Sequence, residues 1–250
     1  MRRLGALIIS ILLATAVTAV EPATAAGAAA TGKRPAVIGH RVIGHTVKGR
    51  PINAWHVGET GKGVKKVVLM SSIHGNERRI AQILWSLRDG HKVHGINLWL
   101  IPVANPDGWA RDTRQNARGV DLNRNFPTKW VHTTGHYASG RKPASEPETR
   151  ALMRFLGQVK PWRIISFHQP LHAVDTDNKN PGFSRRVARA LHLPAQKVRC
   201  GGVCGGTMTQ WYNAHFPGTA ITVEYGASPS RRRMNVDAPR QLLHLFGAHR

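Results

Sequence analysis

Four side chains with acid–base or metal-binding chemistry stand beside apolar segments of the sequence. His74 and Glu77 lie three residues apart in the segment HGNE, and a turn with this spacing can direct an imidazole nitrogen and a carboxylate oxygen at one point. Such a pair suits Zn²⁺, although a helix amino terminus with an acidic first turn also explains it. His168 follows the apolar segment RIISF, and Glu224 follows AITV. The four residues are candidates for one site if those segments end side by side.

The four residues together describe the chemistry of hydrolysis. His74, Glu77 and His168 would hold one Zn²⁺ per chain, which leaves a fourth position for a water molecule. Zinc lowers the pKa of such a water to about 7, and Glu224 would then accept its proton as the general base. A buried glutamate at a strand end is otherwise costly without a partner, so the combination predicts a catalytic zinc site.

The polar tract at residues 105–127, NPDGWARDTRQNARGVDLNRNFP, supplies cations and amides for a substrate. A site that cleaves next to a free carboxylate needs groups to hold it, and Arg offers planar bidentate donors. Asn123 and Arg124 are predicted to clamp the carboxylate. Arg114 is predicted to face the oxyanion that develops during hydrolysis. The segment NPDG at the start of the tract is typical of a turn that shapes the site.

Apolar and alternating segments place these residues in an α/β domain. Apolar residues recur at helical spacing in residues 80–87, 152–159 and 242–246. Ser145 and Glu148 form the pattern of a capping box before the second of these helices. Strand character is found at Val37–His45, Ile52–Val57, Val67–Ser71, Asn97–Pro102, Arg163–Phe167 and Ala220–Val223. This alternation predicts a single domain with a mixed, largely parallel central sheet flanked by helices. The carboxyl ends of parallel strands share one edge, where ligands bind, so the four candidate residues are expected to converge.

The first residues have the pattern of a secretory signal peptide. The segment MRRLGALIISILLATAVTAV carries two arginines and then an apolar run, and small residues after it offer a cleavage site. An uncleaved membrane anchor is the alternative, and no second apolar run is long enough to span a membrane. The predicted organisation is a signal peptide at 1–26, a short Ala-rich linker at 27–36 and a zinc peptidase domain at 37–250. Export would permit a disulfide between Cys200 and Cys204, with free thiols as the alternative.

The chain is strongly basic, with 36 Lys and Arg against 13 Asp and Glu and a formal net charge of +23. Such a field attracts polyanions, which include nucleic acid, an acidic membrane surface and an anionic cell wall. The basic residues are dispersed, and the sequence contains no nucleic-acid-binding motif. We therefore expect a secreted or wall-associated protein that binds no nucleic acid. The sequence does not indicate an oligomeric state.

Six segments, HGNE, NPDGW, RQN, GVDLNRNFP, SFHQ and TVEYG, together resemble the zinc carboxypeptidase family. Within that family, the length, GVDLNRNFP and the pattern YASG followed by PASEPET resemble the bacterial murein-peptide amidases, which release diaminopimelate. The resemblance covers residues 37–226. It implies a zinc-dependent hydrolase acting on peptides or on the stem peptides of peptidoglycan.

The resemblance also implies a role for each residue of the site. The candidate zinc ligands and the carboxylate clamp of Asn123 and Arg124 keep the roles given above. Glu224 would be the general base or acid, and Arg114 would polarise the scissile carbonyl. Asp121 would orient the first histidine ligand, because metal-bound imidazoles generally have such a partner.

The sequence departs from the family pattern in the interval before the base glutamate. Family members of the pancreatic type carry a mobile tyrosine there, but Tyr212 is too close to Glu224 to match, so it is not assigned that role. The interval contains no acidic residue, which argues against specificity for Lys or Arg side chains. Thr207 and Thr209 could bind a polar side chain such as the far end of diaminopimelate, or they could be ordinary loop residues. Three other histidines are expected at the surface or at the rim of the site: His132, His136 and His172.

We therefore expect an exported zinc peptidase that cleaves an amide bond next to a free carboxylate. The preferred substrate is the γ-D-glutamyl–diaminopimelate bond of peptidoglycan stem peptides. One alternative is a general carboxypeptidase acting on ordinary peptides. The alternative of a different class is a non-catalytic basic protein that binds the wall through a peptidase scaffold. The complete set of metal-binding candidates and a base argues against this last alternative.

Overall fold

A mixed eight-stranded sheet forms the centre of the computed structural model, which describes residues 34–198, 202 and 204–250. The strands are β1 (Val37–His45), β2 (Pro51–Gly58), β3 (Lys66–Ser71), β4 (Asn97–Ile101), β5 (Arg163–His168), β6 (Leu171–Asp175), β7 (Ala195–Gln196) and β8 (Thr219–Gly226). Their order across the sheet is β1-β2-β4-β3-β5-β8-β6-β7.

The middle of the sheet is parallel and buried. β3 pairs in parallel with β4 and with β5, and β5 pairs in parallel with β8. Every residue of β4 is buried, as is every residue of β3 and β5 after the first. Runs of Val, Ile and Leu produce such strands because both faces must be covered. β1, β2 and β6 add antiparallel pairs on either side. The predicted α/β domain with a mixed sheet is confirmed.

Helices cover both faces of the sheet. They are α1 (Ala81–Asp89), α2 (Pro106–Arg111), α3 (Pro147–Val159), α4 (Pro181–Ala190), α5 (Met208–His215) and α6 (Ala238–Leu245). One apolar core includes side chains of α1, α4 and α6, such as Leu84, Val187 and Leu242. The other includes side chains of α3 and α5, such as Leu152 and Trp211. Short 3-10 helices at Leu122–Arg124 and Gly135–Tyr137 lie in the long connection between α2 and α3.

Two local predictions are corrected by the structure. The segment NPDG is a helix start rather than a turn, because Asn105 Oδ1 accepts the Gly108 N–H at 2.9 Å and caps α2. The predicted capping box at Ser145 and Glu148 does not form. α3 begins at Pro147, one residue after its N-cap, and no side chain caps it. Ser145 lies too early in the chain for that role, and its Oγ instead donates to Glu146 Oε1 at 2.7 Å.

Some predictions fall outside the described residues. The signal peptide at 1–26 and the linker up to residue 33 are among them, as is Cys200. Cys204 is described and is disulfide-bonded. In the described part of the chain, no helix combines the length and apolar character that a membrane crossing requires.

Candidate metal centre and catalytic cleft

The carboxyl ends of three parallel strands bring the candidate residues together. His168 is the last residue of β5, and it lies in register with Glu224 on the neighbouring strand β8. His74 and Glu77 lie in the loop that follows β3. All four side chains are buried. The expected convergence at one sheet edge is therefore what the structure contains.

The loop after β3 packs against α2 and against the segment that follows it. Ser72 Oγ donates to Glu77 O at 2.9 Å, and the Gly75 N–H donates to Arg114 O at 3.3 Å. Any side chain at Gly75 would collide with the backbone of Gly108 in α2. The glycine of HGNE is required by this close approach, which fixes where the flanking His74 and Glu77 point.

The two histidines and the glutamate form a donor set that fits a metal ion. One ligand atom from each of His74, Glu77 and His168 lies within 4.8 Å of the others. His74 Nδ1 lies 2.7 Å from Glu77 Oε1 and 3.3 Å from His168 Nδ1. His168 Nδ1 lies 3.1 Å from Glu77 Oε2, yet this buried oxygen makes no hydrogen bond to any described residue. A buried carboxylate oxygen without a hydrogen bond, facing two imidazole nitrogens, is the arrangement that a zinc ion satisfies.

Each imidazole is held by its other ring nitrogen. His74 Nε2 lies 3.1 Å from Asp121 Oδ1, and His168 Nε2 lies 3.0 Å from Ser166 Oγ. These contacts leave both Nδ1 atoms directed at Glu77. Tethers of this kind orient metal-binding imidazoles and set their tautomer. Asp121 takes the position expected from the resemblance, whereas the tether from Ser166 was not expected.

The electrostatics of the cluster favour a bound cation. Burial opposes the charged form of His74, but the carboxylates of Glu77 and Asp121 outweigh it and raise the pKa of His74 to about 9. Burial likewise opposes the charge of Glu77, but His74 and His168 lower its pKa to about 2. The pKa of Asp121 also lies well below its ordinary value despite burial, chiefly because of His74. Two ionised carboxylates in a buried site require compensating positive charge.

Arg114 is fixed beside this cluster by the same aspartate. Its Nε donates to Asp121 Oδ2 at 2.9 Å, and its Nη2 lies 2.8 Å from the same oxygen as an ion pair. Its Nη1 lies 3.3 Å from His74 Nδ1 and 3.9 Å from Glu77 Oε1. The guanidinium therefore sits at the metal cluster in a fixed orientation, which suits a group that stabilises developing negative charge.

Glu224 lies on β8 and lines the same cavity as Arg114. Its Oε2 accepts the Leu171 N–H at 3.4 Å, and the side chain lines the same cavity as the metal cluster. Burial raises the pKa of Glu224 above its ordinary value. A carboxylate with a raised pKa is a better proton acceptor near neutral pH than an ordinary one.

A cavity of about 620 Å³ joins these groups to the predicted carboxylate clamp. Asn123 and Arg124 line it, and Asn123 Oδ1 accepts the Met208 N–H at 3.0 Å, which fixes the side-chain amide. Thr207 and Thr209 also line the cavity. Thr207 Oγ1 accepts the Gln210 N–H at 3.2 Å and caps α5, so this threonine has a structural role as well.

Tyr137 is a residue of the cleft that is not among the site residues predicted from the sequence. It lines the cavity, and the centroid of its ring lies 5.2 Å from Cζ of Arg114 and 5.3 Å from Cζ of Arg124. An aromatic ring near two guanidinium groups attracts both of them. The one signal in the sequence was the tyrosine of YASG, whose position relative to the two arginines could not be read from spacing.

The other aromatic and histidine residues lie outside the cluster. Tyr212 is buried, and its hydroxyl donates to Pro161 O at 2.6 Å, which agrees with leaving it unassigned. His136 and His172 are exposed. His132 lines a separate cavity of about 520 Å³. None of these three histidines lines the cavity that contains the metal cluster.

The sequence and the fold are similar to those of known proteins. The family model described as zinc carboxypeptidase matches residues 28–174. Murein peptide amidase A from Escherichia coli is 32% identical over 145 residues, an alignment that covers 51% of this chain and 58% of that protein. The crystal structure of a murein-tripeptide amidase from Escherichia coli O157 has a TM-score of 0.69 and 25% identity, with 85% of this chain and 93% of that chain covered.

Carboxypeptidase A from Helicoverpa armigera shares the fold, with a TM-score of 0.71 and 17% identity over 85% of this chain and 68% of that chain. The chain spans 58% of the length of the curated Escherichia coli relative. Glu224 lies beyond the segment that the family model matches, so its place in the site rests on the structure.

Proposed function

The chain belongs to the zinc carboxypeptidase family, and we propose that it hydrolyses an amide bond next to a free carboxylate. One observation carries this proposal. The three-residue metal cluster, a buried glutamate and the predicted clamp of Asn123 and Arg124 open onto the same cavity. A metal site alone would support many functions, whereas this combination suits hydrolysis beside an anionic group.

The cluster of His74, Glu77 and His168 would hold the zinc ion. When bound there, zinc would supply Lewis acidity toward the scissile carbonyl and lower the pKa of a water molecule. The protein's part is to fix the ligands, and the contacts of Asp121 and Ser166 to the two imidazoles do so.

Glu224 would move the proton. The Leu171 N–H, which donates to Oε2 at 3.4 Å, would help to hold the carboxylate as it accepts a proton from the attacking water. The water oxygen forms the new bond to the carbonyl carbon, and the bond from that carbon to the amide nitrogen breaks. Glu224 then returns the proton to the departing nitrogen, so the same group acts as base and as acid.

Arg114 would stabilise the charge that develops on the carbonyl oxygen. Its Nε and Nη2 are engaged by Asp121, which leaves Nη1 at the metal cluster. A donor that is already oriented costs no rearrangement at the moment of reaction.

The substrate we propose is the γ-D-glutamyl–diaminopimelate bond of peptidoglycan stem peptides. Two similar proteins are described as a murein peptide amidase and a murein-tripeptide amidase. Asn123 and Arg124 would grip the carboxylate of the residue after the scissile bond. The cavity is also lined by Asp175, Asp177 and Lys197, so charges of both signs are available for the amino and carboxyl groups at the far end of diaminopimelate.

We further propose that the protein acts after export, at or near the cell wall. The basic composition and the signal-peptide pattern of residues 1–26 support this location. Amino-terminal sequencing of protein recovered from the culture medium or the wall fraction tests it. An amino terminus near residue 27 is expected, and protein that keeps residues 1–26 inside the cell would contradict the proposal.

Product analysis tests the proposed reaction. Zinc-loaded protein is incubated with the tripeptide L-alanyl-γ-D-glutamyl-diaminopimelate and with ordinary peptides that end in a free carboxylate, and the products are identified by mass spectrometry. We expect free diaminopimelate from the tripeptide and little cleavage of the ordinary peptides. Efficient release of ordinary carboxyl-terminal residues would instead indicate a general carboxypeptidase. No cleavage of any substrate would indicate a non-catalytic wall-binding protein.

A further inference from the structure

A second cluster of charged side chains lies at the amino ends of the parallel strands, opposite the cleft. The Trp162 N–H donates to Lys66 O at 2.8 Å, which places the segment before β5 beside the start of β3. We call this cluster the basic edge. It consists of Lys65, Lys66, Lys160, Trp162, Arg163 and Arg186.

Aromatic rings contact three of the five cations of the basic edge. Arg163 Cζ lies 4.1 Å from the centroid of the Trp162 ring, and Lys65 Nζ lies 5.8 Å from it. Arg163 and Arg186 also approach the ring of Phe183, at 4.8 Å and 5.8 Å. Cation–π contacts of this kind orient a charged group without neutralising it. Trp162 is 37% exposed and therefore borders solvent.

No carboxylate neutralises the basic edge within the part of the chain that the structure describes. Arg163 donates to Trp162 O and Thr219 Oγ1 rather than to an acid, and none of the other four cations forms an ion pair there. The distribution of acids explains this. All but one of the 13 acidic residues lie in the described part, and six of those are buried away from the surface.

We propose that the basic edge is a docking surface for a linear polyanion with phosphodiester groups along a polyol backbone. Arg presents a planar fork to phosphate oxygens, and Lys presents a compact charge. Bound phosphates would relieve the repulsion among these cations. Burial lowers the pKa of Arg163, and the charge of the neighbouring Arg186 lowers it further.

The single exposed ring favours a polyol chain over a nucleic acid. Proteins that bind single-stranded nucleic acids stack successive bases on several aromatic side chains. The basic edge offers one such ring, Trp162, among five cations. The basic edge can therefore make more charge contacts than stacking contacts with a ligand. This favours a polymer that repeats a phosphate group and carries no aromatic bases.

The basic edge is separate from the catalytic cleft. β5 runs from Arg163 to His168, and five steps along a strand cover about 17 Å. None of the six residues lines the catalytic cavity. A polymer bound at the basic edge would leave the cleft open, so docking would concentrate the protein on a surface without competing with a substrate. This inference does not depend on the proposed reaction.

Binding of labelled poly(glycerol phosphate) to the purified protein, followed by fluorescence anisotropy at several salt concentrations, tests the proposal. We expect binding that weakens steeply with salt. In the triple variant Lys65→Glu/Lys160→Glu/Arg186→Glu, three lost phosphate contacts should make the negative slope of log K against log salt shallower by about 2 and weaken binding about tenfold or more at low salt. The neutral triple variant, with Gln at the same three positions, should also bind more weakly and depend less on salt. It should retain the fold better than the variant with Glu.

The matched control reverses the charge of two lysines and one arginine outside the basic edge. It is Lys48→Glu/Lys142→Glu/Arg231→Glu, and all three positions are exposed. Its net charge equals that of the test variant, and it should bind within about threefold of the unmodified protein. Equal weakening in both variants would overturn the docking surface in favour of a general charge effect. Tighter binding of a single-stranded oligonucleotide with the same number of phosphates would overturn the choice of polymer. No binding of poly(glycerol phosphate) at low salt would overturn the proposal altogether.

Discussion

The two ends of strand β5 carry charge in opposite ways. At the His168 end, the buried carboxylates of Glu77, Asp121 and Glu224 stand close to imidazole and guanidinium groups. At the Arg163 end, cations rest on aromatic rings and meet no carboxylate in the described part of the chain. A buried carboxylate is costly unless it is paired, so it is placed where a cation must be held. The difference shows that a protein rich in cations can still build an acidic interior.

If the proposed function holds, this arrangement would divide the attraction of an anionic substrate from its binding. The field of the basic surface acts over a long range and is screened by salt. The cations inside the cleft act only at contact, where geometry decides the strength of the interaction. Substitutions at the two ends of β5 should therefore differ in kind as well as in size.

Removal of a metal ligand should have the largest effect. His168→Ala deletes one of the three donor atoms, so we expect little bound zinc and a loss of hydrolysis of at least about 10⁴-fold. Elemental analysis and hydrolysis rates measure the two effects. The matched control is His172→Ala, an exposed histidine four residues further on, which should keep both zinc and activity. Full zinc content in His168→Ala would remove that residue from the metal site.

Glu224→Gln should separate chemistry from metal binding. The amide keeps the size of the side chain but cannot accept a proton, so we expect zinc to be retained and turnover to fall by about 10² to 10⁴. The control is Glu59→Gln, whose carboxylate contacts His94 and does not line the catalytic cavity. Turnover of Glu224→Gln close to that of the unmodified protein would mean that Glu224 is structural.

Arg124→Lys tests the carboxylate clamp. A charge-assisted pair contributes about 1.5–3 kcal/mol, so this variant should lose roughly ten- to a hundred-fold in kcat/KM on the tripeptide. Amidation of the diaminopimelate carboxylate should cost the unmodified enzyme a similar factor. If both changes remove the same contact, the two together should lower kcat/KM little more than either change alone. Equal cleavage of the acid and the amide by the unmodified enzyme would rule out the clamp.

Tyr137 should give the smallest effect. Its ring lies near both arginines of the cleft, and exposed cation–π contacts contribute about 0.5–1 kcal/mol each. Tyr137→Leu should therefore lower kcat/KM by roughly five- to thirtyfold, with a smaller loss on the amidated tripeptide. Tyr137→Phe keeps the ring and should behave like the unmodified enzyme. If Phe and Leu impair hydrolysis equally, the hydroxyl group and not the ring is responsible.

The strongly apolar strands could be predicted from the sequence, and the short edge strands could not. β1 has the predicted bounds, and β4 ends one residue earlier than expected. β6 has five residues with both ends partly or fully exposed, and β7 has two, so neither produces a clear apolar run. α4 was missed because three arginines in ten residues obscure the helical spacing of its buried side chains.

The site was predictable to the extent that its residues end strands. His168 and Glu224 follow apolar runs directly, and this position predicts a shared edge. The contact of Ser166 with His168 and the place of Tyr137 between two arginines depend on how irregular loops pack. The periodicity of apolar residues indicates helices and strands but not the packing of irregular loops. These contacts could therefore not be predicted from a single sequence.

Asp121 contacts both His74 and Arg114, so the residues at positions 114 and 121 should vary together among related sequences. One of its oxygens faces His74 Nε2 and accepts the Asn123 N–H, and the other accepts the Arg114 Nε–H and forms an ion pair with Nη2. A neutral side chain at this position would misalign the imidazole and release the guanidinium in a single step. Among related sequences, we therefore expect Asp121 and Arg114 to be kept together or lost together. An alignment in which many relatives keep the arginine but replace the aspartate would show that the two positions evolve independently.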